Sequence, residues 1–132
     1  MLHVKHIVIS GHYDCGGIRA ALDAVPLGVI DNWLRNILDV YRLHAEELDA
    51  LSGEARLRRL VELNVIEQVL NVHKTGFVQN QRIRTGFPLV HAMVYDLKSG
   101  ELKRLNVDIQ QIFDATRVFT YTTPGLTRTL SQ

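Results

Sequence analysis

Near its start the chain runs His6-Ile7-Val8-Ile9-Ser10, a continuous β-branched stretch rather than an alternating one. Such a run predicts a strand buried on both faces, as in a parallel α/β sheet. Gly11 ends it, and Ile18-Arg19-Ala20-Ala21-Leu22 then has the pattern of a helix that stops before Pro26. Ile30, Trp33, Leu34, Ile37, Leu38 and Tyr41 recur at helical spacing and predict a second helix over about Val29 to Leu48, with Trp33 on its core face. Ser52 is placed to cap a third helix, with Glu54 in the first turn and Leu57, Leu60, Val61, Val65 and Val69 as its apolar stripe. Gly76 marks a break, and a shorter helix to Thr85 is stopped by Gly86 and Pro88.

The period then changes. Leu89 to Asp96 reads as a strand, Lys98-Ser99-Gly100 as a turn, and Glu101 to Val107 as the returning arm of a hairpin. Beyond it, Asp108 to Phe113 has the pattern of a short helix, and Thr-rich Thr120 to Gln132 that of an extended arm. The order strand, helices, strand, strand predicts an α/β unit over residues 1–107, followed by a tail of less regular pattern over 108–132. A strand buried on both faces also wants neighbours on its edges, so the unit reads as part of a larger sheet and as prone to self-association.

Composition narrows the function classes. The chain has 132 residues, 46% of them hydrophobic and 22% charged, which is one folded domain's worth. No apolar run reaches the roughly 18–20 residues a membrane span needs. The first residues also lack a signal-peptide pattern. We read the chain as cytoplasmic with no membrane partner. A net charge of +1 gives no general attraction to nucleic acid. The cluster Arg56, Arg58 and Arg59, flanked by Glu54 and Glu62, reads as a solvated helix face. A single cysteine, Cys15, excludes an intrachain disulfide and suits a reducing compartment.

Candidate chemistry concentrates in Gly11-His12-Tyr13-Asp14-Cys15-Gly16-Gly17, between the first strand and its helix. Ligands of open α/β sheets bind beyond the carboxyl ends of strands, where this segment falls. His12 and Cys15 are three residues apart, a spacing that lets an imidazole and a thiolate converge on one zinc ion, yet the same spacing also occurs without metal. Gly16 and Gly17 remove bulk beside them and leave amides free for an anion at a helix start. A phosphate cradle is the competing reading, although neither dinucleotide nor P-loop spacing is present. Asp14 reads as a helix cap or a third ligand. His3, His6, His44, His73 and His91 lack ligand spacing to one another and read as surface or core residues.

The run Gly11-His12-Tyr13-Asp14-Cys15-Gly16-Gly17-Ile18-Arg19-Ala20-Ala21 resembles the signature of the β-class carbonic anhydrases. Leu27-Gly28-Val29-Ile30-Asp31-Asn32-Trp33-Leu34 resembles that family's next helix, and Asn64-Val65-Ile66-Glu67-Gln68-Val69 its long helix. His91-Ala92-Met93-Val94-Tyr95-Asp96 and Ser99-Gly100-Glu101-Leu102 resemble its last strand pair. The resemblance implies a zinc protein that interconverts carbon dioxide and bicarbonate, and the unpaired apolar strand implies a homodimer or higher oligomer. The resemblance places the metal on His12 and Cys15 and a non-catalytic bicarbonate site at Tyr95, for which core packing is the alternative; the substrate or anion contact at Gly16 and Gly17 rests on their place at the helix start. The family's other Cys ligand, and an Asp–Arg pair beside the metal, belong to a Cys-x-Asp-x-Arg motif that this sequence does not contain. The chain therefore resembles the C-terminal part of a β-carbonic anhydrase, expected to be weak or inactive alone. A non-catalytic zinc-binding or dimerisation module is the second reading, and a phosphate-binding α/β domain the third.

Overall fold

In the computed structural model, residues 3–108 and Asp114 are described. The expected helix at Asp108 to Phe113 and arm at Thr120 to Gln132 therefore fall outside the described residues, except for Asp108 itself. The elements are β1 (His6–His12), α1 (Gly16–Asp23), a 3₁₀ turn (Gly28–Ile30), α2 (Asp31–Leu43) and α3 (Ala45–Asp49). They continue with α4 (Gly53–Lys74), α5 (Gly76–Thr85), β2 (Leu89–Tyr95) and β3 (Leu102–Arg104). The sheet has the order β1-β2-β3, with β1 parallel to β2 and β3 antiparallel to it. The α/β class, the parallel pair and the closing hairpin thus match expectation.

The helices gather on one face of that sheet. Ile7, Ile9 and Gly11 on β1 stand in register with Val90, Ala92 and Val94 on β2, and this side meets the core. The approach of α4 is close: a Cβ on Gly11 would lie 2.7 Å from Val65 Cγ2. That fit explains a glycine inside a strand. Leu60, Val61, Val65 and Val69 of α4 are buried, as the apolar stripe predicts.

The opposite face corrects the reading of β1 as buried on both sides. Its exposure alternates, and Val8 is 52% exposed. His6, Val8, Ser10 and His12 share this face with Leu89, His91, Met93 and Tyr95, and with Leu102 and Arg104 of β3. No described element covers it.

Three other expectations change. The helix expected from Val29 to Leu48 breaks at His44, whose φ of −119° and ψ of 25° leave the helical region. The break leaves Leu43 outside and buries Leu48 completely. Trp33 is 59% exposed, because Leu34, Ile37 and Val40 take the core side and Trp33 falls one helical step away from it. The arginines of α4 are not a solvated face. Arg56 Nε donates to the carbonyls of Leu48 and Leu51, Arg58 pairs with Asp96, and Arg59 pairs with Glu47 and Glu62.

Candidate metal centre

His12 closes β1, and the chain turns immediately after it. Asp14 takes a left-handed φ of 59°, and Cys15 occupies the N-cap position of α1 without a side-chain capping bond. Asp14 is therefore not the helix cap; its carboxylate lies 3.5 Å from Lys98 Nζ on the hairpin turn. His12 and Cys15 consequently stand at either end of a two-residue turn, beyond the carboxyl end of a strand.

One hydrogen bond decides how His12 is presented. Its Nδ1 lies 2.9 Å from the Tyr13 carbonyl oxygen. A carbonyl only accepts, so Nδ1 carries the proton and the Nε2 lone pair is left available. Metal-binding histidines are commonly held this way, with the second nitrogen donating to a carbonyl or carboxylate. Cys15 is the one cysteine in the chain and is partly buried. Imidazole nitrogen and thiolate sulfur are both zinc donors, so the pair fits the metal in kind. In number it is short, because the described residues contain no group of three His, Cys, Asp or Glu able to hold an ion.

Tyr13 anchors the turn from below. Its N–H donates to the Tyr95 carbonyl at 3.0 Å, extending the β1–β2 ladder by one residue. Its side chain is 1% exposed, and its hydroxyl donates to Glu62 at 2.5 Å. The Arg58 guanidinium lies 3.6 Å above the ring. Lys103 Nζ and Arg59 reach the same carboxylate at 3.0 and 2.9 Å. Burial pushes the Glu62 carboxyl up, but the bonds from Tyr13, Lys103 and Arg59 outweigh it and hold it below the ordinary range. The Tyr13 phenol moves up, through burial and then the neighbouring carboxylate. Sequence reasoning passed over this anchor. Its signal was the i, i+4 placement of Arg58 and Glu62 on one helix, opposite a large aromatic in a glycine-rich turn.

Gly16 and Gly17 open α1, where the first amides lie outside the helix's own ladder. A Cβ on Gly16 would meet nothing within 4 Å, and one on Gly17 would make ordinary contacts at 3.7 Å with Leu34 and Trp33. Bulk at these positions is not excluded by the surrounding chain. Tyr95 pairs in register with His12, on the uncovered face, and is exposed rather than packed in the core.

The family model for carbonic anhydrase matches residues 1–102. A carbonic anhydrase of Emericella nidulans is 52% identical, the alignment covering 88% of this chain and 54% of the relative. One of Candida albicans is 31% identical, over 89% of this chain and 43% of the relative. The crystal structure of the β-carbonic anhydrase CafA of Aspergillus fumigatus superposes with a TM-score of 0.79 at 35% identity, covering 90% of this chain and 58% of that one. A Sordaria macrospora protein, described as a tetrameric β-carbonic anhydrase, gives a TM-score of 0.71 at 34% identity, over 79% and 53% of the two chains. The chain belongs to the β-class carbonic anhydrase family. It spans about half the length of the curated relatives it matches. No helix among the described residues is long and apolar enough to cross a membrane.

Proposed function

We propose that this β-carbonic anhydrase chain contributes His12 Nε2 and Cys15 Sγ to a zinc site for the reversible hydration of carbon dioxide to bicarbonate. The observation that carries the reading is the His12 Nδ1 bond to the Tyr13 carbonyl, which fixes the tautomer and leaves the Nε2 lone pair available. Zinc held there would shift the pKa of a water molecule down to about 7 and so supply a nucleophile at neutral pH. The chain's own residues hold and orient. Tyr13, locked to Glu62 and under Arg58, fixes the turn, and the Gly16 and Gly17 amides at the start of α1 would receive the product anion. Tyr95, beside His12 in register, is the residue for a second, non-catalytic bicarbonate contact.

The ligand count supports one further reading. Two donors fall short of the three protein ligands that zinc sites use. The remaining ligand then comes from a segment or chain carrying the Cys-x-Asp-x-Arg motif. Without it, the unit is a zinc-binding or dimerisation module on the same scaffold. The uncovered sheet face, with Val8 52% and Leu102 57% exposed, supports a homo-oligomer. The lone cysteine supports a cytoplasmic location.

Metal analysis of the untagged chain and of Cys15→Ser tests the assignment. Zinc in the parent chain and its loss in the variant is the expected result. Zinc content unchanged by Cys15→Ser overturns it.

A further inference from the structure

On the uncovered face of the sheet, at the opposite end of β1 from His12, the rings of His6 and His91 stack with their centroids 5.2 Å apart. The two residues are diagonal neighbours on parallel strands, since His91 pairs with Val8, two positions along from His6. His6 Nδ1 and His91 Nε2 lie 2.9 Å apart. One ring nitrogen therefore donates its proton and the other accepts it. The sequence separates these residues by 85 positions, which is why spacing gave no hint of the pair.

We propose that His6 and His91 form a second metal site, for a divalent ion that prefers imidazole and tetragonal geometry, nickel(II) or copper(II). The nitrogen separation, set here by the hydrogen bond, already lies close to that of two such ligands. Two ligands at about 2.0 Å and a right angle lie about 2.8 Å apart, whereas tetrahedral ligands lie about 3.3 Å apart. The observed 2.9 Å matches the right-angled pair. The ion takes the place of the shared proton once each ring turns away from the other nitrogen so that both lone pairs meet at one point. Exposure of His6 leaves room for water in the remaining positions. Both ligands sit on paired strands, so their backbone is already fixed and little ordering cost attaches to binding. The bound ion links β1 to β2 at the end of the sheet remote from Cys15.

Nickel titration of the untagged His12→Ala/Cys15→Ser chain tests the site apart from the candidate zinc centre. One nickel ion per chain is expected. In that background His91→Ala or His6→Gln should weaken binding by at least about tenfold, the scale on which even an outer-shell partner matters. Substoichiometric nickel, which is paramagnetic when water completes its coordination, should broaden the ring signals of His6 and His91 before those of His3, His44 and His73. That measurement needs no variant at the pair itself. Nickel affinity unchanged by both substitutions, broadening of other histidines first, or no nickel binding by the starting chain each overturns the proposal.

Discussion

Tyr13 and Glu62, 49 positions apart, are joined by a 2.5 Å hydrogen bond that ties the turn between His12 and Cys15 to the long helix α4. The geometry of the candidate metal centre thus depends on a carboxylate outside the His12–Cys15 pair. Glu62 also accepts from Lys103 of β3 and from Arg59, so turn, helix and hairpin share one anionic hub.

Tyr13→Phe keeps the ring beneath Arg58 and deletes the hydroxyl. A hydrogen bond to a charged group contributes about 1.5–3 kcal/mol. The variant should lose stability on that scale in urea denaturation, with an unchanged slope. Zinc affinity should fall with it, because the turn that spaces the two ligands is released. An unaltered denaturation midpoint would show that the bond contributes nothing net.

The same hub fixes the sign of the acid response. The Glu62 carboxyl sits below its ordinary value of 4.5 in the folded chain. Asp96 is lowered as well, by the Lys98 backbone N–H and then by Arg58. A carboxyl whose folded pKa is depressed stabilises the fold fully above its unfolded value, and that contribution is lost as pH falls through the folded one. Stability should therefore hold near neutrality and decline below about pH 4.5, with Glu62→Gln less stable at pH 7 and flatter in the acid limb. Urea midpoints from about pH 7 to about pH 3 measure it. An acid limb equally steep in Glu62→Gln assigns the decline to other carboxylates.

Gly11→Ala tests the packing of α4 on the sheet. The added Cβ would lie 2.7 Å from Val65 Cγ2, below any real contact distance, and Val61 Cγ1 stands at 3.5 Å. Overpacking of a closed interface costs about 1–3 kcal/mol. Gly16→Ala, with open space around it, is the matched control and should be near neutral for packing. Equal stability for both variants would mean that α4 shifts without cost.

Local patterns were legible in the sequence because they are written in adjacent residues. The continuous run at Ile7 to Ile9, the stripe from Leu60 to Val69 and the stops at Gly86 and Pro88 gave β1, α4 and the end of α5 directly. The His12–Cys15 segment was legible for the same reason. Exposure was not. Whether Val8 meets a partner depends on which elements lie across the sheet, and Trp33 faces outward because Leu34, one position on, faces in. The Tyr13–Glu62 and His6–His91 contacts were hidden by separations of 49 and 85 residues. Only the folded register brings those side chains together.

The last prediction concerns catalysis by this chain alone. His12 and Cys15 supply two zinc donors, and the described residues hold no group of three. Zinc sites use at least three protein ligands, so two hold the ion loosely. The Asp–Arg pair that the family places beside the metal has no counterpart motif in this sequence. Losing one group that positions or stabilises a reacting centre commonly costs about 10²-fold. Carbon dioxide hydration by the purified chain should therefore stand little above buffer in a stopped-flow assay. Adding a separate polypeptide that carries the Cys-x-Asp-x-Arg segment should raise it, and His12→Ala should abolish the gain. Robust zinc-dependent hydration by the chain alone, lost in His12→Ala, would show instead that a ligand set other than the family's completes the metal centre.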